Sequence, residues 1–230
     1  MKRNEKNEKA CIRLLLIRHG ETAGNLEGKY VGRTDESLCA SGRESAKRLG
    51  EEEVICNLPY FREAGCGAET ASLYVSPLRR CQETAALIFP SAAGLFRTVP
   101  DFRECDFGLF EYRNYRELMA EEELAPRYQA WIDSGGRLPF PQGETVDGFK
   151  ERCVRAFGEI MARETGSCAV FVVHGGTIMS ILEEYGEPKK GYYEYQVPCA
   201  DGFLCDYLPA RDAITNIVRL KRGTVLESCR

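Results

Sequence analysis

The chain contains only two histidines, and both follow short apolar runs and precede glycines. His19 comes after the run 14–17 and Arg18, and His174 comes directly after the run 170–173. Apolar runs this short, ended by a glycine-bearing turn, predict buried strands of an α/β sheet. Ligands of such sheets bind beyond the carboxyl ends of the strands, where the N–H groups of following helices favour anions. With Arg18 beside the first histidine, the pattern predicts one shared site whose chemistry acts on phosphate.

The elements that position this site follow from the periodicity of the apolar residues. Six strands are predicted, over 11–17, 73–75, 95–99, 168–173, 203–208 and 214–220. The predicted helices are one from a capping box at Ser41 and Glu44 to about Gly50, one from an N-cap at Ser76 and Pro77 to Ile88, and those over 146–161 and 176–185. Strands alternating with helices indicate an α/β fold, a three-layer α/β/α sandwich with a mostly parallel central sheet.

A small helical insertion, about 109–142, is predicted to cover the site as a lid. Its segment 112–133 is helical in composition but polar, and Pro126 interrupts it, which predicts two surface helices rather than a core element. Three aromatic residues are expected to pack this lid: Tyr115, Tyr128 and Trp131.

Composition and charge limit the class of protein. The 230 residues are 43% hydrophobic and 29% charged, as is typical of a globular domain, and no Pro/Ser/Gly-rich linker divides them. We therefore expect a single domain over 11–230 after a disordered N-terminal tail, 1–10, which has no apolar segment of the signal-peptide kind. A net charge of −4 without a basic cluster predicts no nucleic-acid and no membrane partner.

Eleven cysteines are scattered along the chain, and no Cys-x-x-Cys pair occurs. The odd count argues against a closed disulfide framework, so the sequence predicts free thiols and a cytoplasmic location. No two Cys or His residues stand at the spacing of metal ligands. We therefore expect no metal site.

The residues around the first histidine, Arg18-His19-Gly20-Glu21-Thr22 followed by Asn25, resemble the signature of the histidine phosphatase superfamily. That group includes cofactor-dependent phosphoglycerate mutases and many phosphatases. Further blocks resemble the family's motifs in the expected order: 76–84 with Arg80, 103–108 with Glu104, 143–145, and 174–176 with His174. Because the ordered blocks extend from residue 18 to residue 176, the resemblance is specific and covers most of the chain.

The resemblance implies catalytic roles for five residues. His19 is implied as the nucleophile, since a neutral imidazole can attack a phosphoryl group and split hydrolysis into formation and breakdown of a phosphohistidine. Arg18 and Arg80 would hold the phosphoryl oxygens, and His174 would add a further donor. Glu104 would protonate the leaving alkoxide and then act as general base. Because side chains neutralise the phosphate, no metal ion or other cofactor is implied.

The resemblance also implies four substrate-binding residues: Thr22, Asn25, Gly32 and Gly175. Three neighbours of the motifs have simpler interpretations. Arg79 is expected to be a solvated surface arginine, Asp106 an ion-pair partner or the next candidate for the acid, and Glu21 a residue that orients its loop. Two positions depart from the family pattern: Cys39 stands where threonine is usual, and Tyr112, which could narrow the pocket mouth, stands where glycine is usual.

The first functional hypothesis is a metal-independent phosphomonoesterase of the histidine acid phosphatase type that hydrolyses a small phosphorylated metabolite. The alternative enzyme is a cofactor-dependent phosphoglycerate mutase, but the arginines of segment 112–142 include no adjacent pair for a triose carboxylate: they are Arg113, Arg116, Arg127 and Arg137. A non-catalytic phosphoprotein-binding module is a third hypothesis, against which the intact catalytic set speaks. The resemblance is closer to short phosphatases, including α-ribazole and broad-specificity phosphatases. Substrate choice is expected to depend on the lid and on segment 186–201. The sequence leaves the oligomeric state open between a monomer and a homodimer.

Overall fold

The computed structural model describes residues 11–52, 55, 71–92 and 94–220, so the predicted tail, 1–10, lies outside it. The strands are β1 (Ile12–Arg18), β2 (Ser72–Val75), β3 (Arg97–Thr98), β4 (Cys168–Val173), β5 (Gly202–Leu208) and β6 (Ala213–Arg219). The α-helices are α1 (Ala23–Leu26), α2 (Ala40–Gly50), α3 (Arg79–Ile88), α4 (Tyr115–Ala120), α5 (Ala125–Asp133), α6 (Val146–Met161) and α7 (Gly175–Tyr185). Short 3₁₀ turns lie at Pro90–Ala92, Pro100–Phe102, Gly108–Phe110 and Tyr192–Tyr195.

The strands of the described residues form a sheet in the order β3-β2-β4-β1-β5-β6. β4 pairs in parallel with β1 on one side and β2 on the other, whereas β5 is antiparallel to both of its neighbours. β4 is buried along its whole length, as expected of a parallel strand covered on both faces. The predicted α/β architecture with a mostly parallel central sheet is confirmed.

Alternate side chains of the central strands serve two separate cores. Leu14 and Leu16 of β1 belong to the core with α6 and α7, whereas Leu15 and Ile17 belong to the core with α2 and α3. All four side chains are fully buried, and each such burial stabilises the fold by about 1.5–3 kcal/mol. Helices therefore cover both faces of the sheet, which gives the predicted three layers.

The predicted capping box of Ser41 and Glu44 is wrong. Helix α2 begins two residues earlier than a Ser41 cap would set it, at Ala40, and its N-cap is Cys39, whose side chain makes no capping hydrogen bond. The Ser41 hydroxyl instead donates to the Glu21 carboxylate at 3.0 Å. The Ser41 hydroxyl therefore does not cap α2, because it is hydrogen-bonded to Glu21, twenty residues away along the chain.

Helix α3 begins later than predicted, and the third strand is shorter. The N-cap of α3 is Leu78, Pro77 lies outside the helix, and the Ser76 hydroxyl contacts the His174 side chain, which follows β4. The predicted strand 95–99 is reduced to Arg97–Thr98, which pairs with β2 at the sheet edge and is exposed. Strand propensity depends on burial and on neighbouring strands. The sequence therefore predicts the position of this edge strand correctly but not the residues at which it begins and ends.

The lid carries a core of its own, so the prediction of surface helices without a core role is wrong. Pro126 lies in the first turn of α5, where proline is tolerated, rather than interrupting a helix. A buried cluster joins the lid to the body: Cys105, Phe110, Leu118, Leu124, Tyr128, Phe140, Phe149 and Cys153. Tyr115, Tyr128 and Trp131 pack in the lid as expected. The polar average of the segment conceals a few large apolar residues that all point inward.

Candidate active site

The two histidines meet because their strands are hydrogen-bonded neighbours. β1 pairs in register with β4 through Arg18 and Val173, and β2 pairs with β4 on its other side. The ladder continues beyond the strands, since the His19 N–H donates to the Val173 carbonyl at 3.0 Å. The rings of His19 and His174 consequently lie 5.2 Å apart between centroids, with 67° between their planes. The structure thus brings together the two histidines for which one shared site was predicted.

His19 is held as a neutral imidazole with one nitrogen free. Its Nδ1 lies 2.7 Å from the Gly20 carbonyl oxygen, which can only accept, so Nδ1 carries the proton and Nε2 keeps its lone pair. Burial, followed by the charges of Arg80 and Arg18, lowers the pKa of His19 well below its ordinary value. The imidazole is therefore neutral at neutral pH, with its lone pair on Nε2, which is the form a nucleophile needs.

Arg80 is fully buried, and carbonyl groups of one loop hold its guanidinium. Nη1 donates to the Thr34 carbonyl at 2.9 Å, and Nη2 donates to the carbonyls of Val31 at 3.1 Å and Gly32 at 2.9 Å. The Nε–H of Arg80 is also buried and has no partner among the described residues. Since leaving a buried charged donor unpaired is costly, this Nε–H marks a position for an anion.

Glu111 holds the loop that holds Arg80. Its Oε1 accepts from the N–H groups of Gly32 at 3.0 Å and Thr34 at 2.8 Å, the same residues whose carbonyls face the guanidinium. A Cβ at Gly32 would lie 2.1 Å from the Cys105 carbonyl oxygen, so only glycine fits there. The role of Glu111 could not be predicted from the sequence, because its partners lie 79 and 77 residues away along the chain.

Arg18 supplies a second cationic donor at the end of β1. Its Nη1 donates to the Val197 carbonyl at 2.7 Å, whereas its Nε is buried and, within the described part of the chain, unpartnered. Gly175 packs against this guanidinium, since a Cβ there would lie 3.5 Å from the Arg18 Nε. Gly175 also begins α7, whose first N–H groups are free of intrahelical partners. The two guanidinium groups and this helix end form an anion-binding corner beside His19.

Glu104 lies beside the second histidine, with 3.8 Å between its Oε2 and the His174 Nδ1. Burial raises the pKa of Glu104, although the Cys105 N–H at 2.9 Å and the neighbouring arginines oppose the shift. The net shift favours the protonated acid. Glu104 is therefore suited to donate a proton next to the anion-binding corner.

Arg152 fixes the loop that carries Glu104. It forms a two-pronged ion pair with Glu144, with both N–O distances at 2.8 Å, and it donates to the carbonyls of Asp101, Arg103 and Glu104. Only 5% of Arg152 is exposed. The resemblance of the 143–145 block to the family motif predicts neither this ion pair nor the role of Arg152. The available signal was a charged residue on the apolar face of α6.

Ser76 fixes the position of His174. The Ser76 Oγ lies 2.7 Å from the His174 Nε2, both side chains are fully buried, and the Leu78 N–H donates to the same oxygen at 3.3 Å. Burial, followed by the charge of Arg80, lowers the pKa of His174 well below its ordinary value. His174 therefore serves as a neutral hydrogen-bonding group and not as a cation. This contact with Ser76 could not be predicted from the sequence, because Ser76 also fits the pattern of a helix cap.

The predicted substrate-binding residues take different places. The Thr22 hydroxyl oxygen accepts from the Asn25 N–H, and the Asn25 Oδ1 accepts from the Thr22 N–H, both at 3.3 Å, so the two residues cap α1. Gly32 uses its N–H on Glu111 and its carbonyl on Arg80. Thr22 and Gly32 thus hold neighbouring parts of the chain in place through hydrogen bonds. Direct contact of these residues with a substrate stays a prediction.

The neighbours of the motifs behave as the simpler interpretations expected. The Arg79 side chain is 63% exposed and pairs with Glu83 at 3.1 Å. Asp106 forms an ion pair with Arg33 at 3.4 Å. Glu21 orients its loop by accepting from Ser41, as described above.

Several of the cysteines that the structure describes are buried thiols. The structure describes free thiols at Cys39, Cys81, Cys105, Cys153, Cys168, Cys199 and Cys205. Cys81 approaches the His174 Nε2 to 3.6 Å, and burial raises the pKa of its thiol to about 12. Among the described residues, no three His, Cys, Asp or Glu side chains are grouped so as to hold a metal ion. None of the described helices has the length and apolar character needed to cross a membrane.

Comparisons with known proteins agree with this geometry. The sequence profile of the histidine phosphatase superfamily (branch 1) matches residues 14–201. The chain is 28% identical over 187 residues to the adenosylcobalamin/α-ribazole phosphatase of Escherichia coli K12, covering 81% of this chain and 85% of that protein. It is 31% identical over 172 residues to phosphoglycerate mutase-like protein 4 of Arabidopsis thaliana, covering 74% and 69%. The crystal structure of the α-ribazole phosphatase from Shigella flexneri superposes with a TM-score of 0.77 at 26% identity, over 94% of this chain and 100% of that one.

Proposed function

The chain belongs to the histidine phosphatase superfamily, and from this premise we propose that it is a metal-independent phosphomonoesterase acting on a small phosphorylated metabolite. One observation carries the proposal. The unprotonated Nε2 of His19 lies in a site where the Nε–H groups of Arg18 and Arg80 are buried without partners among the described residues. A nucleophile beside two unused cationic donors suits attack on a phosphoryl group whose oxygens those donors hold.

The reaction follows from these groups in two steps. His19 Nε2 attacks phosphorus, the ester P–O bond breaks, and the proton of Glu104 passes to the leaving alkoxide. Water then attacks the phosphohistidine, Glu104 takes a proton from that water, and the P–N bond breaks to release inorganic phosphate. Each cycle returns His19 and Glu104 to their starting forms.

Fixed cations supply the charge stabilisation in this proposal. A phosphate monoester carries nearly two negative charges at neutral pH, and charge spreads over the equatorial oxygens during transfer. Arg18 and Arg80 are held by backbone carbonyls, so they need little reorganisation when that charge develops. Their two positive charges match the anion without a metal ion.

Phosphoglycerate mutase activity is the second candidate, favoured by the mutase-like Arabidopsis relative. A mutase must keep water from its phosphohistidine and hold the carboxylate of a triose phosphate. In the lid, Arg113 is paired with Glu121, and Arg116 and Arg127 are not adjacent to a second arginine. The lid therefore supports hydrolysis better than phosphoglycerate mutase activity.

One assay separates the two candidates. The purified protein is given a panel of phosphorylated metabolites in the presence of EDTA, and inorganic phosphate is measured. In parallel, the interconversion of 3- and 2-phosphoglycerate is followed with the bisphosphate primer supplied. We expect phosphate release that the chelator leaves intact. Mutase turnover far above phosphate release would overturn the proposal, as would activity that is lost in EDTA and restored by added Mg²⁺ or Zn²⁺.

A further inference from the structure

Tyr192 lies next to Glu104 on a part of the chain that the proposed mechanism does not use. It begins the 3₁₀ turn Tyr192–Tyr195, and its hydroxyl donates to the Gly176 carbonyl at 3.4 Å. Gly176 in turn adjoins the acid, because a Cβ at this glycine would lie 3.1 Å from Glu104 Oε1 and 2.8 Å from the Phe149 ring. The phenol of Tyr192 therefore stands one residue away from the group that protonates the leaving oxygen.

The ring of Tyr192 is held in place from a second direction. The Lys150 ammonium lies 4.3 Å from the ring centroid, and Glu183 holds that ammonium at 2.6 Å. The ring of Tyr193 packs against that of Tyr192 edge-on, with centroids 5.1 Å apart. Burial and the nearby charge of Glu104 raise the pKa of Tyr192, so the phenol stays neutral. A neutral ring fixed by these contacts acts as a rigid wall.

The leaving group must pass this wall. Phosphoryl transfer places the attacking and leaving groups roughly in line, so an ester attacked by His19 points its alcohol away from that histidine. The ester oxygen must at the same time contact Glu104 to receive its proton. Resting on the proposed function, we propose that Tyr192 bounds a leaving-group subsite that admits phosphate esters of slender alcohols and excludes esters with bulk next to the ester oxygen.

The test compares two aryl phosphates of similar leaving-group acidity, phenyl phosphate and 1-naphthyl phosphate, whose main difference is the fused second ring. In Tyr192→Ala, we expect the ratio of kcat/KM for 1-naphthyl phosphate to that for phenyl phosphate to rise about tenfold or more, because hydrophobic pockets discriminate shape on that scale. In Tyr192→Trp, the larger ring should lower the same ratio. Tyr192→Phe keeps the ring and should leave the ratio unchanged.

Leu95→Ala is the control, since Leu95 is 57% exposed, lies just before β3 away from the lid and from the Tyr192–Tyr195 turn, and should not change the ratio. A ratio that stays at the wild-type value in both Tyr192→Ala and Tyr192→Trp, with phenyl phosphate still hydrolysed, overturns the inference and leaves the proposed function standing. Failure of the wild-type protein to release phosphate from these esters and from every member of the metabolite panel overturns the proposed function itself. Circular dichroism and thermal melting confirm folding, and if the Ala variant is unfolded, the Trp variant decides.

Discussion

The phosphate side of the site and its entrance side are built in opposite ways. The phosphate side (18–22, 76–84 and 174–176) follows strands of the sheet, and its backbone continues the hydrogen-bond ladder, as the His19 bond to Val173 shows. The entrance side (109–142 and 186–201) consists of short helices and turns whose aromatic rings pack on one another. Its side chains include exposed ones such as Tyr193 and Leu138.

This difference predicts that the phosphate side determines the chemistry and that the entrance side determines the selectivity among substrates. The backbone at the strand ends is held by the hydrogen bonds of the sheet, whereas exposed side chains of the entrance side, such as Tyr193 and Leu138, can be exchanged without disturbing the sheet. We therefore expect substitutions on the phosphate side to lower kcat/KM for every substrate by a similar factor, and substitutions on the entrance side to change the ratio between substrates. Glu104 belongs to both sides, because the rate gain from its proton donation depends on how basic the leaving group is.

The largest effect is expected for His19→Ala, which removes the atom that bonds to phosphorus. Turnover of all substrates should fall to background, since no other group in the site has a free imidazole lone pair aimed at the same anion position. In the wild-type protein, a phosphoenzyme trapped from labelled substrate should be acid-labile and alkali-stable, as a phosphoramidate is. Label that maps to a serine or cysteine, or substantial activity in the purified variant, would contradict the assignment.

Glu104→Gln should give the next largest effect and depend on the substrate. The amide keeps the shape of the side chain but has no transferable proton, so alkyl phosphates should lose roughly 10²–10⁴-fold in kcat. Aryl phosphates, whose leaving groups need little protonation, should lose much less. An equal loss for both would show that Glu104 has a structural role and would make Asp106 the acid to test.

The same variant should change the pH profile in a defined direction. Burial raises the pKa of Glu104, so the acid form persists to higher pH, and kcat/KM for alkyl phosphates should fall as pH rises through that raised value. On the acidic side, activity should fall only when pH drops below the lowered pKa of His19. Glu104→Gln should remove the alkaline fall and leave the acidic one. A profile with an unchanged alkaline fall would assign it to another group.

Two adjacent arginines provide a sharp test of the phosphate side. Arg80→Ala removes a buried donor of the anion-binding corner and should lower kcat/KM for all phosphomonoesters by roughly 10²–10³-fold. Arg79→Ala removes an exposed side chain whose ion pair with Glu83 contributes little, so kcat/KM should stay close to wild type. Steady-state kinetics on one alkyl and one aryl ester measure both. Similar losses in the two variants would mean that charge in this region acts at long range.

The smallest effect concerns stability alone. Cys39 has the extended backbone of an N-cap but makes no side-chain capping bond to α2. Cys39→Thr introduces a hydroxyl that can accept from the first turn, and it should raise the free energy of unfolding by about 1 kcal/mol without changing kcat/KM. Chemical denaturation measures the difference, with Cys39→Ala as the control that lacks a hydroxyl. Equal stability of the Thr and Ala variants would show that the cap is not available.

Much of the phosphate side could be predicted from the sequence because its signals are local. A histidine that ends an apolar run must emerge at a strand end, and the register of β1 and β4 then places His19 and His174 together. The central strands were located for the same reason, since burial on both faces demands continuous apolar residues.

The supporting residues could not be predicted because their partners come from elsewhere in the chain. Ser41 and Ser76 match helix-cap patterns, yet one donates to Glu21 and the other bonds His174, and neither contact leaves a trace in local spacing. Glu111 acts on backbone groups of a distant loop, which carry no residue-type signal. For Arg152 the only local signal is a charged residue on the apolar face of α6, and that signal does not tell which carbonyls it binds. The polar average of the lid likewise concealed its buried core.

The pairing of β1 with β4 also dictates when the protein becomes active during its synthesis. β1 emerges from the ribosome early, and β4 only after most of the chain has been made. Joining them requires closure of a very long loop, and β4 must enter between β1 and β2. A nascent chain that stops before β4 carries His19 but lacks the neighbouring strand that holds it. Under the proposed function, phosphorylation of His19 would therefore report that the central sheet has closed, and the labelled phosphoenzyme would serve as a clock for folding.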